Sequence, residues 1–191
     1  LGGILADDMG LGKTLQTLVW LKWLKTSRRK NAKTKPTLVV CPASVLHNWR
    51  RESERFTPSM KVLVLESGQA RHNLRKRVPD HDIVVTNYSI LRRDLDELAK
   101  FAFRAVVLDE AQFIKNPGAQ VTKSVKELKA DHKLALTGTP IENRMLDLWS
   151  IVDFVQPNYL GNQDHFSQVY DLRGAEKDES TARIGRRKLS A

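Results

Sequence analysis

Short apolar runs alternate along the chain with segments in which apolar side chains recur every three to four positions. The runs predict strands at Gly3–Ala6, Thr37–Cys41, Lys61–Leu65, Asp82–Thr86, Arg104–Leu108 and His132–Thr137. Several are continuously apolar rather than alternating, the pattern of strands covered on both faces of a parallel sheet. Between them, Val45 and Trp49, then Leu91, Leu95 and Leu98, then Val121, Val125 and Leu128 stand at helical spacing. Ser44 is expected to cap the first of these helices, and Pro117 to stand in the first turn of the third. A further helix, with Leu15, Leu18, Val19, Leu21 and Leu24, is apolar nearly all round, so Trp20 and Trp23 are expected to pack inward. This βαβ series predicts an α/β fold: a doubly wound, mainly parallel sheet flanked by helices.

Two stretches break the pattern. Residues 26–36 form a polar, basic connection, and Lys22 to Lys35 hold seven basic residues and no acid, which fits a solvated loop at least as well as a DNA patch. From about Asp171 to Ala191 apolar residues are scarce, which predicts a frayed end or a helix lacking its packing partner. The organisation expected is thus a lobe over 1–161 followed by a partly helical or disordered basic extension over 162–191. No run of about 18 apolar residues occurs, which excludes a membrane-spanning helix. The first ten residues contain Asp7 and Asp8 and no basic cluster, so they are not a signal peptide. A start without methionine is expected from processing or truncation. Lysine and arginine outnumber aspartate and glutamate 32 to 22, a net charge of +10 that points to a polyanionic partner, nucleic acid first. A single cysteine, Cys41, excludes a disulfide framework, and the five histidines show no metal-ligand spacing.

Chemistry enters at Asp7-Asp8-Met9-Gly10-Leu11-Gly12-Lys13-Thr14, between a predicted strand and a predicted helix. Glycines at 10 and 12 let successive N–H groups turn toward a phosphate, with the helix dipole behind them. The loop from Asp8 to Thr14 would hold the nucleotide, Lys13 reaching the β- and γ-phosphates and Thr14 ligating Mg²⁺. Asp7 stands where the strict pattern has its first glycine. A nucleotide loop also needs an acid at the end of another strand. Asp109-Glu110-Ala111-Gln112 follows the strand Ala105–Leu108 at the edge where parallel sheets bind ligands. Asp109 is expected to hold Mg²⁺, and Glu110 to orient and deprotonate the attacking water. The two motifs together predict Mg²⁺-dependent ATP hydrolysis.

With Leu136-Thr137-Gly138-Thr139-Pro140, these blocks resemble motifs I, II and III of helicase superfamily two. Cys41-Pro42-Ala43-Ser44 running on to Trp49, Thr86-Asn87-Tyr88, Ile114-Lys115-Asn116-Pro117, and Glu142-Asn143 with Leu148-Trp149 narrow the likeness to the Swi/Snf-type DNA translocases. The Asp-Glu-Ala-Gln box with its Phe-Ile-Lys-Asn-Pro continuation is similar to their bacterial and archaeal members. The resemblance implies the first RecA-like lobe, a P-loop NTPase domain, of a two-lobe motor. It implies movement on double-stranded DNA, remodelling of protein–DNA complexes, and a second RecA-like lobe in cis. Gln112 would couple γ-phosphate state to the other motifs, and Thr137, Gly138 and Thr139 would carry that coupling. Pro42, Ala43, Ser44, Thr86, Asn87 and Tyr88 match the blocks that line the DNA side.

Trp49 and Trp149 are expected as core anchors rather than base-stacking platforms. The resemblance also implies an adenine-recognition helix upstream of Leu1 and arginine fingers on the second lobe. Without those arginines, worth about 10³–10⁵ in rate, these 191 residues alone are expected to be a weak ATPase. A monomeric, cytoplasmic, nucleoid-associated protein of a bacterium or archaeon follows from the same likeness. Two other readings are an RNA helicase-like ATPase and a truncated, non-catalytic nucleic-acid-binding module.

Overall fold

A computed structural model describes residues 2–8, 10–27, 35–66, 71–138 and 145–170. Six strands form one sheet: β1 (Gly2–Leu5), β2 (Thr37–Cys41), β3 (Val62–Val64), β4 (Ile83–Asn87), β5 (Ala102–Leu108) and β6 (Lys129–Leu136). Every pairing is parallel, and the strands lie in the order β1-β6-β5-β2-β4-β3. β2 is buried at every position because it has a neighbour on each side and helices above and below. Edge strand β3 is only three residues long, which limits its exposed pairing groups.

The helices are α1 (Lys13–Thr26), α2 (Leu46–Phe56), α3 (Arg71–Arg77), α4 (Tyr88–Arg93), α5 (Leu95–Leu98), α6 (Gln120–Glu127), α7 (Met145–Val155) and α8 (Gln163–Tyr170). Alternate strand residues feed two cores. Val39, Cys41, Val85 and Val107 face Leu18, Leu21 and Leu24 of α1 and Trp49 of α2. Leu38, Val40, Val84, Val106 and Leu108 face the other helices, with Leu91, Leu98, Val125 and Phe154 among their neighbours. The doubly wound, parallel α/β architecture expected from the runs is therefore the one observed.

Differences from expectation have local causes. Leu91, Leu95 and Leu98 lie on two short helices rather than one, because the chain breaks at Asp94. That carboxylate is buried and held by both Nε and Nη2 of Arg93. Ser44 is not a cap: it lies exposed within a 3₁₀ turn, Ala43–Val45, and Val45 precedes α2. Pro117 lies in a turn ahead of Ala119, and α6 starts only at Gln120. On α1 the apolar circumference exceeds what the sheet covers. Leu15, Val19 and Trp23 form an exposed row at four-residue spacing, so the inward packing expected of Trp23 is overturned. Trp20 is half-buried, edge-on to His132. Trp149 is the anchor expected, buried with its Nε1 donating to the Gly161 carbonyl.

The contact between β1 and α7 depends on one glycine. A Cβ at Gly2 would stand 2.0 Å from the backbone carbonyl oxygen of Val155, which no side-chain rotation relieves. Gly2→Ala is expected to cost about 1–3 kcal/mol, the range of overpacking, and to lower the melting temperature by roughly 3–10 °C. Thermal unfolding of the two proteins checks this, and an unchanged midpoint would refute it.

Candidate nucleotide site

Three strands deliver the site to one edge of the sheet. β1 runs into the phosphate loop, β5 into Asp109, and β6 lies between them and ends at Thr137. The ladders extend one residue past the strands: Asp109 N–H donates to Val40 O at 2.8 Å, and Thr137 N–H to Leu5 O at 3.1 Å. The first bond fixes Asp109 against β2, and the second holds Thr137 level with the base of the loop.

In the loop, Gly10 and Gly12 have φ of 87° and 75°, a left-handed backbone that favours glycine, and Gly12 forms the N-cap of α1. Among the described residues, a Cβ at either would meet no protein atom within 4 Å. Asp7 has no positive φ, so no glycine is needed at its position. Its carboxylate instead accepts from Gln16 Nε2 at 3.2 Å, and the same amide group donates to Leu11 O at 3.1 Å. The Lys13 ammonium, at the first position of α1, donates to the carbonyls of Asp7 and Asp8 at 2.8 and 3.0 Å. Thr14 follows it, half-buried. Met9 and Thr139 lie outside the described residues.

Asp109 is fixed from three sides. Its Oδ2 accepts from Trp49 Nε1 at 2.8 Å, its Oδ1 from the Glu110 N–H at 3.0 Å, and its carbonyl from the Tyr88 hydroxyl at 2.8 Å. Burial pushes the Asp109 carboxyl above the usual carboxylate range and the Glu110 charge adds to this, while the Trp49 and Glu110 N–H groups and the Lys13 ammonium oppose it. Motifs I and II thus share one electrostatic site. Nearby, burial and then Asp109 push the Cys41 thiol up to about 12 and raise the Tyr88 phenol well above its ordinary value, so both stay protonated at neutral pH.

Glu110 has φ 51° and ψ 60°, a left-handed conformation that costs a non-glycine residue about 1–3 kcal/mol. Gln112 Nε2 donates to its Oε2 at 2.8 Å, and the Gln112 Oε1 accepts from Thr137 Oγ1 at 3.2 Å. An unbroken polar chain therefore joins Glu110, Gln112 and Thr137, crossing from β5 to β6. Gly138 follows Thr137, half-buried.

The six residues matched to a DNA surface separate. Ala43 and Ser44 are exposed and Pro42 half-buried, all at the turn after β2. Thr86 is fully buried in β4, its hydroxyl without a partner among the described residues, so its side chain is not presented to solvent. Tyr88 is also inward: only 6% exposed, bonded to Asp109 and stacked on Phe113 at 4.8 Å. Asn87 is half-buried and spends its Oδ1 on the Ile90 N–H as the cap of α4. Trp49 carries more than the anchoring expected of it. It is buried, yet its one polar atom reaches motif II from sixty residues away, and no periodicity signals that bond.

The glycine cradle, the ammonium, the carboxylate pair and the glutamine–threonine relay define a RecA-like P-loop nucleotide-binding lobe. The chain belongs to the SNF2-related domain family, whose model matches residues 1–187. It is similar to an ATP-dependent helicase of Mycoplasma pneumoniae, 45% identical over 89% of this chain and 16% of that protein. A second relative is the TATA-binding protein-associated factor MOT1 of Saccharomyces cerevisiae, 42% identical over 89% of this chain and 10% of that protein. A third is the putative ATP-dependent helicase/translocase YwqA of Bacillus subtilis, 40% identical over 96% and 20%. The chain therefore spans only a tenth to a fifth of these relatives. Among solved structures, the Sulfolobus solfataricus SWI2/SNF2 ATPase core in complex with dsDNA matches with a TM-score of 0.82 and 40% identity, over 98% of this chain and 38% of that one.

Proposed function

We propose that this lobe binds and helps hydrolyse ATP with Mg²⁺ in a motor that moves on double-stranded DNA and remodels protein–DNA complexes. The observation that carries the reading is the delivery of the glycine–lysine loop by β1 and of Asp109 by β5 to one edge of the sheet, on either side of β6, with Glu110, Gln112 and Thr137 bonded in series. The residues present fit a magnesium nucleoside triphosphate. The loop from Asp8 to Gly12 and Lys13 would hold the phosphates, while Thr14 and Asp109 would hold the metal. Bound Mg²⁺ supplies charge neutralisation at the phosphates.

Each protein group then has one task. Lys13 exchanges its two carbonyl acceptors for phosphate oxygens, a gain because charge-assisted bonds are the stronger. Glu110, held in its strained conformation by Gln112, takes the proton from the attacking water at its carboxylate. Gln112 passes the position of Glu110 to Thr137, and Thr137 with Gly138 and Thr139 links it to the rest of the motor. A second RecA-like lobe in cis completes the site. The 38% share of the Sulfolobus core covered by this chain supports that arrangement. The division into a lobe at 1–161 and an extension at 162–191 belongs to the same proposal, although the family model runs across residue 161. So do a monomeric state and a cytoplasmic, nucleoid-associated location, the latter supported by bacterial relatives.

DNA is engaged through phosphates, at the exposed Ala43 and Ser44 turn with Pro42 and at the half-buried Asn87, with the buried Thr86 and Tyr88 supporting that surface from within. The net charge of +10 and the duplex DNA in the Sulfolobus complex support this. Binding of the full-length protein to duplex DNA is expected to be independent of sequence. The log affinity should fall by about 0.9 per log unit of salt for each phosphate neutralised. Fluorescence anisotropy across a salt series checks it. Salt-insensitive binding, or a strong preference for one base sequence, would refute phosphate-led contact.

A further inference from the structure

Asp109 is held by donors that do not come from its own strand. The indole N–H of Trp49 reaches Oδ2 from the first turn of α2, and the phenol of Tyr88 reaches the Asp109 carbonyl from the first residue of α4. Each helix follows directly on one of the two segments assigned above to DNA, α2 on an exposed turn and α4 on the end of β4. α2 follows Pro42 and the 3₁₀ turn Ala43–Val45, and α4 follows Asn87, whose side chain caps it. Both donors are buried, so neither bond is exchanged for one to water. Tyr88 also stacks parallel to Phe113, with an interplanar angle of 7°, and Phe113 lies in the 3₁₀ turn that contains Gln112. The phenol therefore touches motif II at two places.

We propose that Trp49 and Tyr88 are positioning residues that tie the metal-holding carboxylate of Asp109 to the DNA-facing segments, so that contact at those segments adjusts the metal site. This rests on the proposed function. A carboxylate oxygen offers two lone-pair directions. With Trp49 on Oδ2 and the Glu110 N–H on Oδ1, each oxygen keeps one direction for the metal and its water, and rotation about the Cβ–Cγ bond is blocked. Without Trp49 the backbone N–H is the one remaining restraint on the carboxylate group. Without the Tyr88 hydroxyl, the Asp109 peptide loses its tie to α4. A shift of either helix start, as a phosphate settles on the segment before it, moves the donor and with it the carboxylate.

The test uses the full-length protein unaltered and as Trp49→Phe and Tyr88→Phe. Calorimetry gives ADP affinity with and without Mg²⁺, and phosphate release gives the stimulation by duplex DNA. ADP affinity without metal is expected to stay within about twofold of the unaltered protein, since neither residue touches the phosphate loop. The half-saturating Mg²⁺ concentration is expected to rise about fivefold or more in each variant, and DNA stimulation to fall by a similar factor even at saturating Mg²⁺. Trp49→His, which returns a ring N–H, is expected to recover part of the Mg²⁺ response.

Variants with a lower melting temperature but unaltered Mg²⁺ dependence and DNA stimulation would overturn the proposal, leaving both donors as satisfied core groups. Tyr88→Phe removes one oxygen and keeps the ring on Phe113, so it decides the matter where Trp49→Phe does not fold. Failure of the unaltered protein to hydrolyse ATP in a Mg²⁺-dependent way would instead overturn the proposed function itself.

Discussion

Glu110→Gln is expected to lower DNA-stimulated ATP hydrolysis by the full-length protein at least about 10²-fold, the scale of a lost general base. The substitution keeps size and hydrogen bonding. A glutamine at 110 still offers an oxygen to Gln112 Nε2, so the chain to Thr137 persists and the left-handed backbone remains braced. Asp109 loses a neighbouring negative charge but keeps Trp49 and Tyr88, so Mg²⁺ and nucleotide should still bind. The signature is therefore near-normal ADP and ATP affinity by calorimetry with phosphate release close to background. Full activity in this variant would show that another group takes the proton.

Lys13→Ala is expected to reduce nucleotide affinity at least about 10²-fold, because charge-assisted bonds to phosphate are lost with no substitute. The fold should hardly register the change. Asp8 is exposed and Asp7 half-buried, so water can satisfy the two carbonyls that Lys13 now bridges, and the aliphatic stem is not part of either core. A melting temperature near that of the unaltered protein, together with lost calorimetric binding of ATP and ADP, is the expected pair of results. Retained affinity would refute the assignment of the loop.

Strands were the most legible feature of the chain. Thr37–Cys41 matches at both ends, because a central strand with neighbours on each side must be apolar at every position. β6 begins at Lys129 rather than His132, since its polar start pairs with the start of β5 at the half-exposed end of the sheet. α3 was not anticipated: Leu74 is the one apolar residue in Arg71–Arg77, too little to show a period. The break at Asp94 was hidden because a helical apolar period continues through it, while the Asp94 carboxylate turns inward and is held by the exposed Arg93.

For the site, the glycine–lysine loop and the Asp-Glu pair were readable because backbone conformation and metal chemistry each restrict residue type locally. The inward turn of Thr86 and Tyr88 was not readable. Which face of β4 a residue occupies follows from a core completed by distant segments. The Trp49 bond to Asp109 was equally invisible, since it joins two motifs that meet only once β2 and β5 are paired.

The pairing of β1 with β6 also bears on how the protein is made. Gly2 lies beside Lys133 and Leu5 beside Leu136, so of the six described strands the one that leads into the phosphate loop is synthesised first and its neighbour last. At about 5–20 residues per second, a ribosome needs roughly 7–26 s to produce the partner strand after β1 has formed. During that interval β2, β3 and β4 find their neighbours in chain already made, β5 lacks only β6, and β1 has none. The nascent chain is thus expected to assemble from the Trp49 side outward, and the phosphate loop to take shape last. A truncation ending before Lys129 would retain paired strands and lack a seat for β1, so within this lobe nucleotide binding follows the pairing of the other strands.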